Sequence, residues 1–162
     1  MRVEWVVDAL SKEDAAVVTT ELDDTLEQLD SETDVVLIDS VYDKDVIDAL
    51  TQKDAEPEYE YQLGVVTDTH KDEEFDADAM ISRSLSASGI RERVDWLGAR
   101  AQYCKTLSEY YEVTQTLVKR QRADCRSVEC DRLRARRDRL EYRLDKISES
   151  LDSKTLYDAV MG

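Results

Sequence analysis

The pattern of hydrophobic positions changes its period near residue 89. Before that point, short apolar runs alternate with polar stretches, and one clear run, Val35-Val36-Leu37-Ile38, ends at Asp39. Uninterrupted apolar runs of this length are typical of strands that are buried on both faces. The same pattern predicts strands at residues 3–7, 16–20, 35–38, 61–67 and 79–81, with helices at 24–29 and 41–50.

Strands that alternate with helices predict a small doubly wound α/β domain with a mostly parallel sheet over residues 1–88. One connection does not fit this pattern. Only residues 8–15 separate the first two strands, whereas a parallel crossover usually takes about ten to twelve residues or more. The first two strands are therefore either joined by a single helical turn or paired as a hairpin.

The second half has a helical period. From Ile90 to Val118 the apolar residues recur at steps of three and four, which predicts a long amphipathic helix. A second apolar run has the heptad spacing of a coiled coil. Leu133, Leu140 and Ile147 form one row with steps of seven residues, and Leu144 and Leu151 form a second row. We expect an antiparallel helical hairpin over residues 89–162, because each helix must bury its apolar stripe. The alternative is one long helix that pairs between subunits.

Composition favours helices with solvated faces. The 162 residues include four Gly and one Pro, and 37% are charged. So few turn formers argue against an all-β fold. No apolar run approaches the ~18 to 20 residues that span a bilayer, and the start of the chain lacks the pattern of a signal peptide. We therefore expect a cytoplasmic protein without membrane contacts.

Charge divides the chain at the same place as the hydrophobic period. Residues 1–89 carry 6 Lys and Arg against 25 Asp and Glu, whereas residues 90–162 carry 16 against 13. Such acidity is typical of proteins adapted to molar salt, where the screening length is only about 3 Å. We attribute most of the acidic surface to this adaptation.

A row of arginines stands out in the second helix of the hairpin. The row consists of Arg132, Arg136, Arg139 and Arg143. These arginines recur at steps of four, three and four residues and therefore share one face of the helix. The face could contact a phosphate backbone or a protein partner. The alternative is a solvated face with internal pairs such as Arg137 with Glu141.

The cysteines and the single histidine lack the spacing of a zinc site. Cys104 occupies an apolar helical position and is predicted to pack in the core. Cys125 and Cys130 lie near a predicted turn and are predicted to be exposed thiols, and His70 lies in a polar stretch.

Four polar side chains follow predicted strands, namely Asp8, Asp39, Thr67 and Arg83. The carboxyl ends of parallel strands form one edge of a sheet, so we expect these side chains to meet there. Carboxylates can hold Mg²⁺ or act as a nucleophile, and a hydroxyl and a cation can bind phosphoryl oxygens. The set has the ingredients of a phosphate and Mg²⁺ site.

These residues resemble the receiver domain of two-component response regulators. The matching segments are Val6-Val7-Asp8, Asp34-Val35-Val36-Leu37-Ile38-Asp39, Val65-Val66-Thr67 and Met80-Ile81-Ser82-Arg83. The resemblance implies that Asp39 is the phospho-acceptor of a phosphorelay. It also implies that Asp8 and Asp39 hold Mg²⁺ and that Thr67 and Arg83 sense the phosphoryl group.

The second half resembles the HalX domain, which follows receivers in haloarchaeal response regulators. The matching segments are Leu97-Gly98-Ala99-Arg100-Ala101-Gln102-Tyr103, Leu107-Ser108-Glu109-Tyr110-Tyr111, residues 127–140 and Leu156-Tyr157. Together the resemblances imply a receiver-like domain at 1–88 and a HalX-like hairpin at 89–162.

The receiver-like half departs from its family at several positions. Ala9 stands where the family has a second acid, which removes a metal ligand, and Arg83 stands where it has a lysine. Ser84 replaces the proline that follows, and Met80 replaces the switch aromatic. These departures predict a degenerate receiver with little or no Mg²⁺-dependent phosphorylation of Asp39.

The sequence therefore predicts a regulatory protein of the response-regulator type that acts through protein contacts, with a histidine kinase or another regulator as partner. One alternative is a DNA-binding transcriptional regulator that uses the arginine row. Another alternative is a structural module that forms a homodimer through the hairpin. The hairpin has more aromatic residues than one helix pair buries, and these residues are Tyr103, Tyr110, Tyr111 and Tyr142. We expect no enzyme, because no acid–base pair or Gly-rich phosphate loop is present.

Overall fold

The computed structural model describes residues 29–41, 44–54, 60–68, 77–121 and 128–151. Two compact units make up the chain, Met1–Ala101 and Gln102–Gly162. The domain boundary that we place at residues 88 and 89 stays a prediction. The predicted strands at 3–7 and 16–20 lie outside the described residues, so the geometry of their connection stays open.

The first unit contains a parallel sheet of three strands in the order β1-β2-β3. Strand β1 is Val35–Asp39, β2 is Gln62–Thr67 and β3 is Ala79–Ser82. Helix α1, Lys44–Asp54, connects β1 to β2. The α/β class and the parallel pairing that the sequence predicts are confirmed for these strands.

The central strand β2 is buried along its whole length. Side chains of a strand alternate between its two faces, and here each face has its own core. One core joins β1 and β2 to α1, through Val36, Ile38, Ile47, Leu50, Tyr61, Leu63 and Val65. The other packs the sheet on helix α2, Ala87–Gln121, through Val66, Ile81, Ile90 and Leu97. Burial on both faces explains the uninterrupted apolar runs of the sequence.

Helix α2 begins after a serine cap. The Gly89 amide donates a hydrogen bond to Ser86 Oγ at 3.2 Å, and the Ile90 amide donates to the Ser86 carbonyl at 3.0 Å. A serine in this position satisfies amides that have no partner within the first turn. This cap places the start of the helix three residues before Ile90, the first apolar residue of the predicted stripe.

In the second unit, α2 packs against helix α3, Val128–Ser148. Their shared core contains Val113, Leu117 and Leu140, with Tyr110 and Leu133 packed against it. Two ion pairs join the helices in antiparallel order, Glu109 with Arg136 and Arg120 with Glu129. The alternative of one continuous helix is wrong, because at 1.5 Å per residue it would hold Val113 and Leu140 about 40 Å apart.

The prediction of an exposed thiol at Cys130 is wrong. This residue is only 1% exposed and is disulfide-bonded. It lies on the face of α3 that also carries Leu133 and Leu140, seven residues apart, so its side chain points into the helix pair. Cys104 is a half-buried thiol, and Cys125 lies outside the described residues. None of the helices described is both long and apolar enough to cross a bilayer.

Candidate functional site at the carboxyl edge of the sheet

Three of the four residues that the sequence predicts for the site lie at one edge of the sheet. Asp39 ends β1, Thr67 ends β2, and Arg83 directly follows β3. The register sets Asp39 opposite Val66, one residue before Thr67, and pairs Thr67 with Ser82. The fourth residue, Asp8, lies outside the described residues.

The Asp39 carboxylate is buried, with only 4% of its surface exposed. Its Oδ1 accepts a hydrogen bond from the Val41 amide at 3.0 Å and a second one from Arg83 Nη2. The contact with Arg83 is an ion pair. A buried carboxylate is costly without such a partner, so Arg83 is the group that makes the buried charge tolerable.

The ion pair crosses the middle strand. Arg83 follows β3 and Asp39 ends β1, with β2 between them. Neighbouring strands are about 4.8 Å apart, so the two backbones are separated by roughly 10 Å. A long side chain with a planar guanidinium can bridge this distance. The guanidinium therefore lies over the end of β2, where the Thr67 carbonyl accepts a hydrogen bond from the Arg83 amide at 3.0 Å.

Both partners keep unused hydrogen-bonding capacity. Asp39 Oδ2 and Arg83 Nε are buried, and neither has a hydrogen-bond partner within the part of the chain that the structure describes. Arg83 Nη1 also lies 3.5 Å from an oxygen of the exposed Asp68. Sequence reasoning missed Asp68, although its position directly after Thr67 at a strand end was the same kind of signal.

Hydroxyl groups complete the edge. Thr67 is buried, and the Ser82 and Ser84 hydroxyls lie 2.8 Å apart on the exposed side. The Ser84 amide donates to Ser82 Oγ at 3.2 Å. Ser84, which stands where the receiver family has proline, therefore takes part in a local turn that uses its own amide.

The Mg²⁺ site that the sequence predicts at Asp8 and Asp39 stays a prediction, because Asp8 lies outside the described residues. Magnesium requires six oxygen ligands in near-octahedral geometry, with one or two carboxylates among them. Here Asp39 has one uncommitted oxygen, and the neighbouring guanidinium repels a second cation. Across the described ranges, no three side chains of the types His, Cys, Asp and Glu come together as a metal cluster.

A further polar cluster lies at the opposite end of β3. Asp78 Oδ2 accepts a hydrogen bond from the Leu63 amide at 2.8 Å, and the Asp78 amide donates to the Leu63 carbonyl at 2.9 Å. Asp78 Oδ1 lies 3.3 Å from Arg100 Nη2 of α2. The sequence predicted no role for this pair, because a contact between residues 78 and 100 depends on how the helix packs on the sheet.

The arginine row of the sequence lies on the exposed surface of α3. Arg136 is engaged by Glu109, to which its Nε and Nη2 donate at 2.8 and 2.6 Å. Arg137 pairs with Asp138 instead of the Glu141 that spacing suggested. The hydrogen bond and charge of Asp138 raise the pKa of Arg137 above its ordinary value.

Tyr103 gives the second unit a pH-dependent group. Burial, followed by the charges of Cys104, Tyr111 and Asp145, raises the pKa of Tyr103 above its ordinary value of 10.0. A raised pKa in the folded state gives a stabilisation that is complete below pH 10.0 and is lost as the pH rises through the folded-state pKa.

We expect an ultraviolet titration of phenolate absorbance, wild type minus Tyr103→Phe, to give a midpoint above 10.0. Tyr142→Phe is the matched control, because Tyr142 is an exposed tyrosine of the same unit. A Tyr103 midpoint at or below 10.0 contradicts the packing that we describe.

A scan against protein-family models, a search of the curated proteins and a search of the solved structures each gave no match. The geometry and charges of the site are therefore the basis of the function proposed below.

Proposed function

We propose that this protein is a regulatory module of the response-regulator type that works with little or no phosphorylation, through contacts of its receiver-like unit with other proteins. The observation that carries the proposal is the buried ion pair between Asp39 and Arg83. Asp39 occupies the position that the receiver resemblance assigns to the phospho-acceptor, and that position is already neutralised within the chain.

The chemistry of phosphoryl transfer explains why this pair matters. The attacking carboxylate oxygen must reach the phosphorus atom, and cations must neutralise the charge on the transferred group. Asp39 is almost fully buried, and Arg83 holds its Oδ1. Ala9, which stands where the receiver family has its second acid, lowers the affinity for Mg²⁺ further. Each of these features favours a site in which Asp39 stays unphosphorylated.

Exposed apolar side chains near the same edge support an action through protein contacts. Val41 follows β1 and is 57% exposed, and Met80 and Leu85 are also exposed large hydrophobic residues. Apolar side chains without cover are enriched where proteins meet their partners. The partner that we propose is a histidine kinase or another regulator, which would contact this surface without transferring phosphate.

The proposal is tested by incubating the full chain with acetyl phosphate and Mg²⁺ at molar KCl and measuring the intact mass. We expect no more phosphate on the wild type than on Asp39→Ala. Asp68→Ala is the matched control, because it removes an exposed carboxylate from the same edge and leaves the buried one. One phosphoryl group per chain that disappears in Asp39→Ala but persists in Asp68→Ala would refute the proposal.

A further inference from the structure

The basic side chains of α3 fall into two groups. Four of them form ion pairs with carboxylates, namely Arg134 with Asp131, Arg136 with Glu109, Arg137 with Asp138 and Lys146 with Glu149. Three other arginines form no ion pair within the described ranges, namely Arg132, Arg139 and Arg143. Arg139 Nε donates to the Ala135 carbonyl of its own helix at 3.2 Å. The hydrogen bond and charge of Arg120 lower the pKa of Glu129, and the charge of the nearby Arg132 adds to this effect.

The three unpaired arginines share one face of the helix, which we call the arginine face. At 100° per residue, positions 132, 139 and 143 lie within about 40° of one another around the axis. Along the axis, Arg139 is about 10 Å from Arg132 and about 6 Å from Arg143. All three are exposed. The face is therefore a short line of guanidinium groups.

Three aspartates of α3 lie on another side of the helix, whereas Glu129 is close to Arg132. Asp131, Asp138 and Asp145 repeat every seven residues and so form a row of their own. The arginine face is flanked by Ala135, by Tyr142, which is 66% exposed, and by Val128, which lies one turn before Arg132 and is 70% exposed. Lys146 Nζ lies 5.9 Å from the centre of the Tyr142 ring. The surface thus combines cations with one exposed aromatic ring and one exposed valine at its start, and its centre, at Arg139, is not apolar.

We propose that the arginine face binds the phosphate backbone of DNA, a function beyond the one proposed for the sheet edge. Guanidinium groups bind phosphate with two parallel hydrogen bonds, and such backbone contacts position a protein without reading sequence. An interface with a protein would place apolar side chains at its centre, and the arginine face has none. Three neighbouring cations that form no ion pair within the described ranges favour a polyanion as the partner, because the other basic side chains of the helix are paired with carboxylates.

The experiment measures binding of the full chain to a short fluorescent DNA duplex by anisotropy, over a series of KCl concentrations. Three phosphate contacts give a slope of about −2.7 for log K against log salt, so a fourfold rise in salt weakens binding roughly 40-fold. We expect this slope for the wild type and a slope near zero for the combined variant Arg132→Gln, Arg139→Gln, Arg143→Gln.

The matched control is the variant Arg134→Gln, Arg137→Gln, which removes two arginines that are already paired, and we expect it to keep the wild-type slope. Circular dichroism confirms that each variant stays helical. Equal slopes for both variants, or no binding by the wild type, would overturn the proposal. Displacement of the duplex by a polyglutamate peptide at equal charge concentration would also overturn it, in favour of an acidic protein partner. These outcomes are independent of phosphorylation at Asp39.

Discussion

Replacing Arg83 with methionine is expected to lower the free energy of unfolding of the first unit by about 3 kcal/mol, because it leaves the buried Asp39 carboxylate without its counter-charge. Methionine keeps much of the length of the side chain, so the loss reports mainly on charge. The exposure of Arg83, about one fifth of its side chain, places the effect at the lower end of values for buried pairs. Urea unfolding followed by tryptophan fluorescence measures it.

A double-mutant cycle with Asp39→Asn separates the ion pair from packing. Removing both charges should restore part of the stability, because no unpaired charge then remains buried. Arg93→Met serves as the control, since Arg93 is an exposed arginine of α2 in the same unit and surface changes usually stay within about 0.5 kcal/mol. Additive effects of Arg83→Met and Asp39→Asn would show that the pair is not coupled.

The second large effect is expected at Gly64, in the middle of β2. A Cβ atom there would lie 2.7 Å from Leu37 Cδ2, 3.2 Å from Leu97 Cδ1 and 3.3 Å from Ile81 Cδ1. These side chains come from β1, α2 and β3, so the helix packs on the sheet directly over the glycine. Gly64→Val should therefore destabilise the unit by about 2 to 3 kcal/mol through overpacking, measured by urea unfolding.

Gly98 offers a matched control in the same unit. A Cβ atom there would meet only Val35 Cγ2, at 3.9 Å, which is ordinary van der Waals contact. Because Gly98 lies inside a helix, Gly98→Ala should stabilise by up to about 1 kcal/mol. If Gly64→Val unfolds at the same urea concentration as the wild type, α2 does not pack on the sheet as described.

Local sequence signals predicted the described elements of the sheet and the three residues at its edge. The apolar run before Thr67 is a strand buried on both faces, and the run before Asp39 is a strand buried on one face and half-buried on the other, as such runs predict. Parallel strands bring their carboxyl ends together, so Asp39, Thr67 and Arg83 could be expected to meet without knowledge of any contact. The exposed arginine row followed equally from helical spacing.

Specific contacts could not be predicted in the same way. That Arg83 passes over β2 to reach Asp39 depends on side-chain length and strand order, and the pair of Asp78 with Arg100 depends on the packing of α2. Cys130 could have been found, because it precedes Leu133 by three residues and Leu140 by ten, which continues the heptad pattern. The nearby predicted turn led us to assign it to the surface instead.

Polar interactions anchor β3, the shortest strand of the described sheet, at both of its ends. Before β3, Asp78 accepts a hydrogen bond from the Leu63 amide and forms an ion pair with Arg100. After β3, Arg83 forms an ion pair with Asp39. A shift of β3 along its neighbour would have to break both attachments together. Four residues of strand thereby acquire a cooperativity that their own ladder of hydrogen bonds could not supply, and exchange of the amide hydrogens that β3 donates to β2 should require opening of the whole unit.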